Sequence, residues 1–144
     1  MRSTLGIVCV LTACLTRSAS AAAPNNPCAL LTPAQVSGVV GITVPAGQPI
    51  STTGCSWSAT GIMTTLVLHD GAAFATMKTP LPNITRTPVT GLGDDAFYST
   101  VGTLTTLTVK KGAVAFVVRL YGVKDMNTQT AMEKSLALDV LANL

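Results

Sequence analysis

The chain has 144 residues, 48% of them apolar and 10% charged, with nine Lys and Arg against six Asp and Glu. This composition excludes a disordered, strongly solvated chain and fits one domain with or without a targeting segment. Arg2 and Arg17 fall in a segment expected to be cleaved; the seven remaining cations face six acids, which leaves one net positive charge and no electrostatic case for a nucleic-acid partner.

Residues 1–23 have the pattern of an export signal. Arg2 is the positive start, Leu5 to Leu15 the apolar run, and Thr16-Arg17-Ser18-Ala19-Ser20-Ala21 a polar end with an A-x-A site before Ala22. The apolar run, about eleven residues, is too short to span a bilayer, and no other stretch is a transmembrane candidate. Within it, Leu11-Thr12-Ala13-Cys14 resembles the bacterial lipobox, so a lipid anchor on Cys14 is the alternative to ordinary cleavage. With ordinary cleavage, residues 24–144 form a single exported domain that keeps two cysteines, Cys28 and Cys55. An even count in an exported chain predicts one disulfide, and closing a loop of about 27 residues should stabilise the fold by roughly 3 kcal/mol. Two unpaired buried thiols are the other possibility. The two cysteines lack the short-spaced pairing of a zinc site.

From Cys28 the chain predicts a short helix: Thr32 as N-cap, Pro33 at the first helical position, Gln35 closing a capping box, Leu31 stapled to Val36, and Gly41 as the stop. Its buried side should be Val36, Val39 and Val40. A weak strand over Ile42 to Val44 and a Pro/Gly/Ser/Thr loop are expected next. Then comes a strand in which Cys55, Trp57 and Ala59 share the inner face. Gly61 to His69 is a further strand, with Asp70 capping a short helix that buries Phe74 and Met77 and stops at Thr79-Pro80. Leu81 to Val89, with Pro82 and Pro88, is expected to be the longest irregular segment and the first place to seek a binding edge. Asn83-Ile84-Thr85 is a glycosylation sequon, which carries meaning only in a eukaryotic secretory host.

Gly91-Leu-Gly-Asp-Asp predicts a turn and Ala96 to Tyr98 a strand opening. Gly102 to Tyr121 is a β-hairpin with its tip at Lys110-Lys111-Gly112; Val114, Phe116, Val118 and Leu120 face the core, and Ala113, Ala115, Val117 and Arg119 the other side. The final helix is expected to open with Thr130 and Glu133 as a capping box and to lay Met132, Leu136, Val140 and Leu144 across the Phe116 face. Trp57 to Ala72 also aligns without gaps on Tyr98 to Ala113, an offset of 41 that matches seven positions, so duplication and chance convergence both remain open. The order of elements predicts an α+β fold: an antiparallel sheet of about five or six strands with N-terminal, middle and C-terminal helices packed on it.

Little here carries chemistry. His69 is the only histidine, at a strand end where such a residue is ordinarily structural or solvated. Asp94 and Asp95 could act as an acid and base pair, but neighbouring positions in a turn point apart. Gly91-Leu-Gly-Asp-Asp-Ala imitates a dinucleotide fingerprint but precedes a strand rather than a helix, and no G-x-S-x-G is present.

Pro27-Cys-Ala-Leu-Leu-Thr-Pro-Ala-Gln-Val, Cys55-Ser-Trp, Val89-Thr-Gly-Leu-Gly-Asp-Asp-Ala-Phe-Tyr, Val109-Lys-Lys-Gly and Leu136-Ala-Leu-Asp-Val-Leu, in that order and spacing, resemble an uncharacterised family of small exported bacterial proteins and lipoproteins, frequent in actinobacteria. The resemblance runs from Pro27 to the C-terminus. It implies a Cys28–Cys55 bridge and a location in the periplasm, cell envelope or extracellular space, and brings no catalytic residues. The resulting expectation is a non-enzymatic exported domain without cofactor that binds a small apolar ligand or an envelope protein. The alternatives are a lipid-anchored structural envelope protein and a hydrolase built on Asp94, Asp95 and His69.

Overall fold

The computed structural model describes residues 26–144; the export signal over 1–23, its cleavage site and Cys14 lie outside the described residues. After a 3₁₀ turn at Pro27–Ala29 the chain forms α1 (Pro33–Val40), β1 (Gln48–Ser51), β2 (Gly54–Ala59), β3 (Ile62–Asp70) and α2 (Ala73–Lys78). It continues with β4 (Thr85–Val89), β5 (Asp95–Val101), β6 (Leu104–Lys111), β7 (Val114–Tyr121) and α3 (Met126–Ala142). All pairings are antiparallel, in the order β1-β2-β3-β7-β6-β5-β4, so two three-stranded meanders flank β7.

The fold is α+β, with seven strands rather than five or six. The two unforeseen strands are short edges containing proline: Pro49 in β1 and Pro88 in β4. Proline removes a ladder donor, which an edge strand tolerates and a central one does not, so these segments look like loops to any pattern that treats proline as a breaker. Pro88 thus lies in a strand, and the irregular stretch expected up to Val89 ends at Ile84. Conversely, Ile42 to Val44 is not a strand. The Val44 N–H donates to Ser37 Oγ (3.0 Å), which tucks the buried Val44 under α1 instead of into the sheet.

Local signals at α1 act as their chemistry requires. Thr32 Oγ1 accepts from Gln35 N–H (3.2 Å), the Thr32 N–H donates to Gln35 Oε1 (2.9 Å), and Gly41 terminates the helix at φ 76°. At the other end of the chain the capping reading fails. The N-cap of α3 is Asp125, whose Oδ2 accepts from Thr128 N–H (2.6 Å), while Thr130 lies inside the helix and bonds back to the Met126 and Asn127 carbonyls. At α2, Asp70 Oδ1 accepts from Ala72 N–H (2.7 Å) in the turn before the helix rather than capping it.

The main core lies between one face of the sheet and the α1–α3 pair. Leu66, Leu107, Phe116 and Leu120 meet Leu136 and Val140 of α3 and Val36 and Val40 of α1 there, all buried. α2 packs on the opposite face. Its apolar side is only Phe74 and Met77, enough to cover Phe97 and Ala115, with the Phe74 and Phe97 rings edge-on at 5.3 Å. The repeated sequence falls on the two hairpins β2-β3 and β5-β6. Trp57, Thr64, Leu66 and Leu68 and their counterparts Tyr98, Thr105, Leu107 and Val109 all point to the main core. The turns differ by one position, Thr60-Gly61 against Gly102-Thr103.

Cys28 and Cys55 are bonded, with Cα atoms 5.2 Å apart, which ties the 3₁₀ turn to β2 beside Trp57. Gly47 lies against both: a Cβ there would stand 2.6 Å from Trp57 Cε2 and 2.7 Å from Cys55 Sγ. Gly47→Ala is therefore expected to destabilise by about 1–3 kcal/mol through overpacking, with the disulfide still formed. Urea unfolding with a thiol count checks this; an unchanged midpoint would show that the bridge and the indole do not close over this glycine.

Candidate functional site

Strand pairing places directly opposed residues on the same face of a sheet. On the face away from α1 and α3, the register lines up one polar row from edge to edge. Gln48, Ser56, Thr65 and Arg119 run across β1, β2, β3 and β7, and Thr106, Ser99 and Arg86 across β6, β5 and β4. The two halves are joined by Arg119 Nε donating to Thr106 Oγ1 at 2.7 Å. The adjacent row is mainly apolar, Val67, Val117, Thr108, Phe97 and Pro88.

The two arginines of this row converge. Arg86 Nη1 donates to Ser99 Oγ, its guanidinium 5.2 Å from the Phe97 ring; Arg119 also donates from Nη1 to Tyr121 Oη (2.9 Å) and lies 5.7 Å from that ring. Ser99 and Thr106 are direct cross-strand neighbours, so both cations are drawn over the β5-β6 pair. Neither has a carboxylate. The ion pairs among the described residues are Lys78–Asp95 (2.7 Å) and Lys111–Asp94 (3.5 Å). Arg86 Nε is buried without a partner. Around the arginines lies a groove of about 300 Å³ whose apolar walls are Met77, Ile84, Val101, Leu104 and Val117. A second hollow of about 390 Å³ shares Arg119 and holds His69 and Tyr121. A third, of about 580 Å³ between α1 and α3, has no charged lining residue.

Behind this row, the β6-β7 ladder ends at Leu107–Val118, and two side chains of α3 occupy the gap. Gln129 Nε2 donates to the Leu120 carbonyl (2.9 Å). Glu133 Oε1 accepts from Leu120 N–H (3.2 Å), and its Oε2 accepts from Thr105 Oγ1 (3.0 Å). Gln129 and Glu133, one helical turn apart, are 1% and 0% exposed. Burial pushes the Glu133 carboxyl up to about 7, against the lowering effect of the Leu120, Thr105 and Gln129 donors and the Arg119 charge. Tyr98, whose Oη donates to the Thr130 carbonyl at 2.6 Å, is pushed up to about 12 by its burial and by the Glu133 charge.

The three residues of the hydrolase reading do not meet. His69 and Asp95 stand at opposite ends of the register row His69–Ala115–Lys110–Asp95, three strand spacings or roughly 14 Å apart. Asp95 pairs with Lys78. Asp94 turns instead to the hairpin tip, where its Oδ2 accepts from Gly112 N–H (2.6 Å), a bond that lowers its pKa. Among the described residues no three His, Cys, Asp or Glu cluster as metal ligands, and no helix is long and apolar enough to cross a membrane. No family model, curated protein or solved structure matches the chain.

The sequence alone gives no site role to Arg86, Arg119 or Glu133, placing Arg119 only on the outer side of the hairpin and Glu133 only in a capping box. For Glu133 a signal existed: with Gln129 it sits in the stripe of Leu136 and Val140, where a charged residue in a buried face demands a partner.

Because the folded state holds a proton up to about 7 that a free carboxyl near 4.5 releases, stability should fall as pH rises through that window, by about 3 kcal/mol in all. Glu133→Gln keeps the shape, can still accept from Leu120 N–H, and should flatten the slope. Urea titrations at pH 5 and pH 8 decide it; an identical slope in both proteins would assign the linkage to another group.

Proposed function

We propose that residues 24–144 form a non-enzymatic exported domain of the bacterial envelope that binds a ligand on the face of its sheet away from α1 and α3. The observation that carries this reading is the groove of about 300 Å³ on that face. It combines apolar walls with a few convergent polar groups, the composition of small-molecule sites. The disulfide is compatible with an oxidising compartment, and the resemblance of the chain from Pro27 to the C-terminus to small exported bacterial proteins agrees with it. The dispersal of His69, Asp94 and Asp95 gives the hydrolase alternative no support.

Protein purified from its own envelope is expected to release a retained small molecule on denaturation. Adding that molecule back to isotope-labelled protein should shift backbone amides around Ser99, Thr106 and Val117. Shifts confined to the α1–α3 hollow would move the site to the other side of the molecule, and no retained mass with no shifts would remove the binding reading.

A further inference from the structure

We infer that the groove takes a single-chain amphiphile with an oxyanion head, the head held between Arg86 and Arg119 and the apolar body along Met77, Ile84, Val101, Leu104 and Val117; this rests on the sheet face being the binding face.

The charge of the row is one-sided. Arg86 and Arg119 lie on neighbouring parts of one half-buried surface without a carboxylate partner, although every other element of the row is a neutral hydroxyl or amide. Two guanidinium groups held near each other repel, and Arg86 Nε forgoes a hydrogen bond altogether. An oxyanion above the Ser99–Thr106 pair offsets the repulsion and offers acceptors to the free N–H groups. Guanidinium forks match carboxylate and phosphate oxygens alike. Ser99 and Thr106 hold one cation each, and the aromatic faces of Phe97 and Tyr121 hold them from the side, so both are oriented before the ligand arrives. The walls specify the rest: with five apolar side chains and about 300 Å³, the groove suits a short aliphatic body.

Glu133 lies on the far side of the same β6-β7 gap, and its charge attracts Arg119. The groups facing Glu133 are Tyr98 from β5, Thr105 from β6, the Leu120 backbone and the Arg119 charge from β7, and Gln129 on its own helix.

Calorimetric titration of the whole domain with octanoate, octyl phosphate and octanol, each below its micelle concentration or solubility limit, tests the assignment. One or both anions should bind and be weakened by salt, octanol should bind at least about tenfold more weakly, and Arg86→Gln and Arg119→Gln should each cost about tenfold or more. Whichever anion binds names the head. Arg119→Lys keeps the charge and loses the fork, and should recover part of the affinity; thermal melts of each variant confirm folding. Equal binding of octanol, with amide shifts on the sheet face and no effect of the arginine substitutions, would overturn the oxyanion head while leaving the binding face intact. No binding by any of the three, with no shift on that face, would overturn the amphiphile assignment; the face itself then falls only if the molecule retained from the envelope also leaves it unshifted.

Discussion

The Gln129–Glu133 insertion is the constraint from which the rest of the arrangement follows. A sheet whose central strands part has to satisfy the backbone groups it exposes, because an unpaired buried N–H or carbonyl costs about as much as the hydrogen bond it lost. Past Leu107–Val118 the Leu120 N–H and the carbonyls of Leu120 and Thr105 have no ladder partner, and α3 supplies one for each from a single turn of helix. The helix is therefore docked by polar registry as well as by Leu136, Ala137 and Val140. Apolar contacts alone would let it slide by a turn; a carboxylate and an amide fitted to particular backbone atoms would not.

The same parting shapes the other face. Where β6 and β7 no longer bond through their backbones, Arg119 reaches across from β7 to Thr106 and closes the gap with a side chain. One local opening is thus sealed by an acid on the core side and a base on the open side, and the charge of each acts on the other through the thickness of the sheet. A cation that closes a gap by binding a neutral hydroxyl keeps its charge unneutralised. Had the partner been an aspartate at position 106, the face would be sealed and electrically silent.

Local chemistry was legible in the chain. The capping box at Thr32 and Gln35, the hairpin turning at Gly112, and the inward alternation of β2 and β7 needed only residues within a few positions of one another. What depended on register across the sheet was not. Arg86 and Arg119 are 33 positions apart in the chain and become members of one row only through β5 and β6. The prolines of β1 and β4 read as loop residues because their tolerance depends on having a free side, a property of the sheet and not of the segment. Glu133 reads as a capping residue because a Thr-x-x-Glu pattern is the same whether it starts a helix or lies within one. The burial that separates the two cases comes from β6 and β7, far away in sequence.

Those edge prolines also restrict how the domain can recognise anything. Sheets commonly bind by adding a strand along an exposed edge, which needs a continuous run of free backbone donors and acceptors. Pro49 and Pro88 remove a donor from each edge, and β1 is further broken by a register shift between Pro49 and Ser51. With both edges ill suited to strand addition, one broad face filled by α1 and α3, and α2 covering the end of the other at Phe97 and Ala115, the open part of the sheet presents side chains rather than backbone to a partner. Side-chain recognition is selective only where the groups are fixed before the partner arrives. In the groove on this face the charged groups are the two arginines, each anchored by a hydroxyl and by an aromatic ring.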